Sequence, residues 1–174
     1  MSTYPQAKLD LLPLDHSAEG TVARNLVVLH ITAGPSAQSA INTFKASVAP
    51  HRVSAHFCID RDGTVYQLVD TGRTAWHASQ VNSRSIGIEH AAIPEKLPVT
   101  DAQYAASGAL VDWLCGELRI PCDSDHVMGH NHASPADGHV GCCEPTLSVG
   151  KVIEAARVGS AGASEVADRT SGLP

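Results

Sequence analysis

The 174-residue chain is long enough for one compact domain and too short for two of ordinary size. With 43% hydrophobic and 17% charged residues and a mean hydropathy of -0.04, it does not read as largely disordered. A net charge of -6 without a Lys/Arg cluster removes the electrostatic case for binding nucleic acid or an anionic membrane, and no apolar run approaches a membrane span.

The opening MSTYPQAKLDLLPLDHSAEG lacks a basic region followed by an apolar stretch, so synthesis in the cytoplasm without a signal peptide is expected. Residues 1–24 show no sustained period and read as an N-terminal extension packed on or beside the domain. Asn25 to Ile31 (NLVVLHI) reads as a buried strand, stopped by Thr32-Ala33-Gly34-Pro35. From Ser36, a plausible cap, Ile41, Phe44 and Val48 fall on one helical face. Ser54–Ile59 and Thr64–Val69 flank Asp60-Arg61-Asp62-Gly63, the strongest hairpin signal in the chain. Ser85–Glu89 (SIGIE) is a further short strand ending on a carboxylate.

Thr100-Asp101-Ala102-Gln103 has the form of a capping box, and the helix it opens carries Tyr104, Val111, Leu114 and Leu118 on one stripe until Pro121. His126–Gly129 reads as one more strand, delivering His130 at its end. Val149, Val152, Ile153 and Ala156 mark a terminal helix, and residues 159–174 are expected to be a disordered tail. The expected fold is therefore α/β: a single domain over residues 25–158, with a central mixed β-sheet flanked by about three helices.

Ten histidines are anomalous for this length, and with the cysteines they crowd between His126 and Cys143. The five cysteines are an odd number without secretory context, so metal binding is a better reading than a disulfide framework. His30 stands in an apolar strand, where an unpartnered imidazole is costly to bury; it needs a hydrogen bond or a metal. The first of these is the more frequent situation. Gly129-His130-Asn131-His132 precedes a turn-rich stretch to Cys142-Cys143, a mixture of nitrogen and sulfur donors that suits zinc. Spacing alone leaves a metal site and a structural role equally open, because neither CxxC nor HExxH is present.

The ordered segments VVLHITAG, VSAHFCIDRDGTVYQLVD, TAWHAS, SIGIE and VMGH with a distal Cys resemble the zinc-dependent N-acetylmuramoyl-L-alanine amidases, the amidase type 2 and peptidoglycan-recognition family. The resemblance runs from about Asn25 to Pro145. It implies that His30 and His130 are zinc ligands, with a downstream Cys or Asp as the third. Here HVGCCEP departs from the family's Pro-Gly ending, so Cys142 is the favoured ligand and Cys143 the alternative. Glu89 matches the carboxylate that activates the attacking water. The family's Lys or Thr before the last ligand is missing, and His139, three residues before Cys142, could take over its hydrogen bond to the oxyanion or could be a solvated loop residue. Trp76 and His77 fall in the segment that lines the substrate cleft, although a lone Trp is more often core.

The implied reaction is hydrolysis of the amide between N-acetylmuramic acid and the L-alanine of the stem peptide, in a cell-wall lytic enzyme such as an endolysin or a secreted antibacterial effector. Peptidoglycan or muropeptide is the expected partner, with a cognate immunity protein if the chain is an effector, and a monomer is expected. The site of action is then periplasmic murein after release or secretion, or cytosolic muropeptides if the enzyme recycles them. Two other classes compete: a muropeptide-binding module that does not cut, and a structural zinc domain with all four coordination places filled by protein.

Overall fold

A computed structural model describes residues 3–159. It contains eight strands and four helices. The strands are β1 (Lys8–Leu9), β2 (Ala18–Glu19), β3 (Leu26–Ile31), β4 (Phe57–Ile59), β5 (Val65–Gln67), β6 (Arg73–Thr74), β7 (Ser85–His90) and β8 (Val127–Gly129). The helices are α1 (Ala37–Ala46), α2 (Asp101–Leu118), the single turn α3 (His130–Ala133) and α4 (149–159), with short 3-10 segments such as Ser79–Arg84 between them.

Six strands form one sheet in the order β1-β5-β4-β7-β3-β8. Only the β4–β5 hairpin is antiparallel, pairing Phe57 with Gln67 and Ile59 with Val65; the other pairs are parallel. The hairpin turns where Asp60-Arg61-Asp62-Gly63 was expected to turn it. The sheet is therefore mixed, as the sequence implied.

Alternation along the strands divides the sheet into two faces. Val27, Leu29, Phe57, Ile59, Ile86, Ile88 and Val127 are buried with Leu110, Val111 and Leu114 of α2 and with Val152, Ile153 and Ala156 of α4. The capping box places α2: Thr100 and Gln103 satisfy each other's end of the helix, and the Gln103 amide donates to the Ile59 and Ala91 carbonyls. The opposite face is covered by α1 through Ala37, Ile41 and Phe44, and by Ala78 and Val81 beside the 3-10 segment.

Three features differ from the sequence reading. Val48 is 69% exposed, because α1 ends at Ala46, where the Ser47 hydroxyl and amide both donate to the Phe44 carbonyl; Pro50 disfavours helical backbone at Ala49. His130–Ala133 is a helical turn where the sequence reading assigned no helix, so His130 and His132 are separated by helical rotation, one buried and the other exposed. The strands β1, β2 and β6, two residues each, are too short to show a period. Through β1, which pairs with β5, the first residues enter the main sheet, and Tyr4 reaches the core against Trp113 at 5.3 Å between ring centroids. The expected tail lies outside the described residues except for Gly159, which closes α4.

Candidate metal centre

The site lies at the carboxyl ends of parallel strands, where open α/β sheets commonly bind ligands. His30 is the penultimate residue of β3 and is paired with Glu89, penultimate in β7. Paired residues of parallel strands project to the same face, so both side chains emerge on the α1 side. His130 begins α3 directly after β8, the other neighbour of β3. The loop after α3 returns with Cys142, whose backbone carbonyl accepts from the Asn131 amide and whose sulfur accepts from the Ile31 amide.

One donor atom from each of His30, His130 and Cys142 lies within 4.8 Å of the other two. Two imidazoles and a sulfur are a donor set that suits a borderline-soft divalent ion and leaves a fourth position open. The structure thus contains a group able to hold a metal ion. Without one, burial pushes the Cys142 thiol up to about 11 and lowers the His30 imidazole well below its ordinary range, with the neighbouring His130 adding to the effect.

Cys143, the alternative ligand, is elsewhere. It is fully buried in the apolar layer, and its thiol donates to the Leu29 carbonyl at 3.5 Å. Gly129 makes room for it: a Cβ at that position would stand 2.8 Å from the Cys143 sulfur.

Glu89 keeps part of its side chain open to a cleft of about 250 Å³ lined by Thr32, Gly34, Ser39 and Thr43, while its Oε2 is buried with no hydrogen-bond partner. Desolvation raises its pKa to about 8. Cys142 and the exposed His139 line a larger cleft of about 620 Å³ with Pro94 and Val140, and the two clefts meet at Ile31 and Ala33. His139 stacks on His130, with ring centroids 4.5 Å apart.

The two residues of the AWHAS segment part company. Trp76 is half-buried in a shallow pocket with Pro50, Arg52 and Asn82, which neither Glu89 nor Cys142 lines. His77 stands edge-on to His30, its Nδ1 3.0 Å from the His30 Nε2. Gly87 permits this, because a Cβ there would meet the His77 ring at 2.5 Å.

The contacts of three residues were beyond the sequence reading. Asp137 Oδ2 accepts from His130 Nε2 at 2.9 Å, and Ser79 donates to the same carboxylate, which hydrogen bonding holds down at about 2. His90 donates through Nδ1 to the His30 carbonyl and accepts the Ser107 hydroxyl at Nε2. His56 accepts the Gly87 amide and donates to the Arg73 carbonyl, extending the bonding between β4 and β7 by one residue. Asp137 alone left a trace in the sequence, as an acid in the turn-rich stretch between His130 and Cys142.

A mixed sheet with two histidines and a cysteine converging at its carboxyl edge defines an α/β protein with a candidate hydrolytic metal centre. The N-acetylmuramoyl-L-alanine amidase profile (Amidase_2) matches residues 20–141, and the chain belongs to that family. It is 42% identical over 104 residues to "1,6-anhydro-N-acetylmuramyl-L-alanine amidase AmpD" of Escherichia coli K12, a match covering 53% of each chain. The protein of the same name from Salmonella typhimurium is 37% identical over 100 residues, covering 53% of this chain and 52% of its own. The chain thus spans about half the length of the curated relatives it matches. A crystal structure of a selenomethionine AmpD derivative superposes with a TM-score of 0.70 at 25% identity, covering 88% of this chain and 96% of that one.

Proposed function

We propose that the chain is a zinc-dependent N-acetylmuramoyl-L-alanine amidase, cleaving the amide between the lactyl group of N-acetylmuramic acid and the L-alanine of the stem peptide. One arrangement carries the reading: the donors of His30, His130 and Cys142 converge at the sheet edge where Glu89, paired in register with His30 and close enough to raise the Cys142 thiol, keeps an unpartnered carboxyl oxygen. Zinc held by these three would polarise the scissile carbonyl and lower the pKa of water at the site.

Glu89 takes the proton of the attacking water and passes it to the departing alanine nitrogen. Its unpartnered oxygen is available for that proton because no neighbouring donor competes for it. His139, stacked over His130 at the rim of the larger cleft, donates to the developing oxyanion. The clefts on either side of Ile31 and Ala33 receive the sugar and the stem peptide.

A narrower reading of the substrate follows from the relatives' name. It favours a soluble 1,6-anhydro-muropeptide over polymeric murein, with action in the cytoplasm on recycled fragments. No helix among the described residues is long and apolar enough to cross a membrane.

The test is digestion of purified sacculi and of a 1,6-anhydro-muropeptide, with and without a chelator, followed by mass spectrometry. Release of free stem peptide that stops on chelation and returns with zinc is expected. Release that ignores the chelator rejects the zinc mechanism, and cleavage of sacculi as fast as of the fragment rejects the narrower substrate.

A further inference from the structure

We propose that the segment from His77 to Ser85 fixes the ring tautomer of both candidate metal-binding histidines, so that each keeps its proton on Nε2 and a lone pair on Nδ1. The inference rests on the metal site proposed above, but its first test needs no metal.

The direction of every bond follows from one end of a chain. The Ser85 hydroxyl donates to the Val81 carbonyl at 2.7 Å, and a carbonyl can only accept. A hydroxyl has a single proton, so toward His77 Nε2, 3.2 Å away, Ser85 is the acceptor. His77 therefore carries its proton on Nε2, and its Nδ1 is bare. Toward that bare nitrogen His30 Nε2, at 3.0 Å, must be the donor. The His30 proton is thus on Nε2, and Nδ1 is left with its lone pair. A neutral ring carries a single proton, and the bonds above leave one place for it.

His130 reaches the same state by a shorter route. The Asp137 carboxylate can only accept, so His130 Nε2 carries a proton, and in a neutral ring Nδ1 is then the bare nitrogen. The segment enters here too, because Ser79 donates to Asp137. Both anchors lie in one stretch of nine residues, and that stretch is itself pinned. The Asn82 side-chain oxygen accepts from the amides of His77 and Ala78 at 3.0 and 2.7 Å, and the Gln80 amide donates to Ser134 at the end of α3. The bracket holds β3 through His77 and the loop after β8 through Asp137. His77 is then a positioning residue behind His30 and not a wall of the substrate cleft.

An imidazole without such a partner divides its proton between two nitrogens and turns about its own bonds. Both effects work against a ligand that must present one nitrogen in one direction.

The first experiment is a long-range proton–nitrogen NMR correlation on the full metal-free chain at pH 8, where the ring protons are assigned directly. His30, His77 and His130 are all expected as the Nε2–H tautomer, and an Nδ1–H tautomer at any of the three overturns the proposal. The second is zinc affinity by competition with a chromophoric chelator, with folding checked by circular dichroism. His77→Gln retains an oxygen acceptor and a nitrogen donor in place of the ring and is expected within about threefold of the parent, whereas His77→Leu is expected to lose about 10- to 100-fold. Ser85→Ala, which removes the far acceptor without disturbing ring packing, is expected to weaken zinc several-fold and to bring the Nδ1–H form of His30 into the spectrum. A folded His77→Leu or Ser85→Ala protein that binds zinc as tightly as the parent overturns the proposal. A parent chain that binds no zinc defeats the metal reading instead, and the tautomers in the metal-free spectrum still decide the inference.

Discussion

The two faces of one sheet solve different problems with alternate residues of the same strands. On the α2 side, Val27, Leu29, Ile86 and Ile88 are fully buried among other apolar side chains, and burial alone secures them. On the α1 side, Val28 is covered at the middle of β3, but two residues on the same row turns polar with His30 and Glu89. There each buried polar group needs a partner: His30 has His77 and His77 has Ser85. The Glu89 Oε2 has none, and an unpartnered buried oxygen costs about 1–3 kcal/mol. The contrast teaches that the face supplying stability and the face supplying chemistry are separable, although they share a backbone.

The largest expected effect breaks the polar face alone. Glu89→Gln should lower amide hydrolysis by on the order of 10²- to 10⁴-fold while the thermal midpoint holds or rises, since the neutral amide relieves a buried carboxyl. Turnover and thermal unfolding on one preparation check this; a midpoint that collapses with activity would erase the separation. Leu29→Ala attacks the other face and should cost about 2–5 kcal/mol in denaturant unfolding. Zinc bound per folded chain should not change, and measuring both on the same sample shows whether the faces are independent.

Acid should sharpen the contrast, because the polar side holds neutral imidazoles. His56 is fully buried, and desolvation lowers its pKa from 6.5 to about 4. Above pH 6.5 it is neutral in both folded and unfolded chains. As pH falls from 6.5 toward 4, the unfolded chain takes up the proton and the folded one does not, so stability is lost across that window. The loss is on the order of 3 kcal/mol and levels off below it. Denaturant titrations from pH 7.5 to 4 should show this step together with that of His90, which desolvation also lowers to about 4, and His56→Gln should remove its own share. The smallest effect belongs to the end of α2: Thr100→Ala removes the bond from the Gln103 amide and should cost about 1 kcal/mol, with zinc affinity and hydrolysis unchanged.

Much of the framework was legible because its signals are local. The strand at Leu26–Ile31, the hairpin about Asp60–Gly63, the Ser36 cap and the Thr100–Gln103 box each depend on neighbours a few residues away. The grouping of His30, His130 and Glu89 was legible in another way, through ordered segments resembling a family. The sequence also narrowed the candidate sulfur donor to two adjacent residues and favoured Cys142, but two thiols one position apart on a loop carry no signal of which one faces the histidines.

What the tertiary structure alone decided is which side chains meet. Cys142 faces the histidines and Cys143 faces the core because the returning loop binds Ile31 and Asn131 through one residue and packs the next against Gly129. His77 lies behind His30 because Gly87 leaves space for a ring, and Asp137 stands beside His130 because the chain turns back after α3. His77 and His30 are 47 positions apart, and no period or cap encodes such a pair. Periodicity and capping are properties of a short stretch of chain, so the residues themselves determined the strands and helices. A hydrogen-bond partner is set by the order in which strands lie side by side, and that order exists only once the sheet has formed.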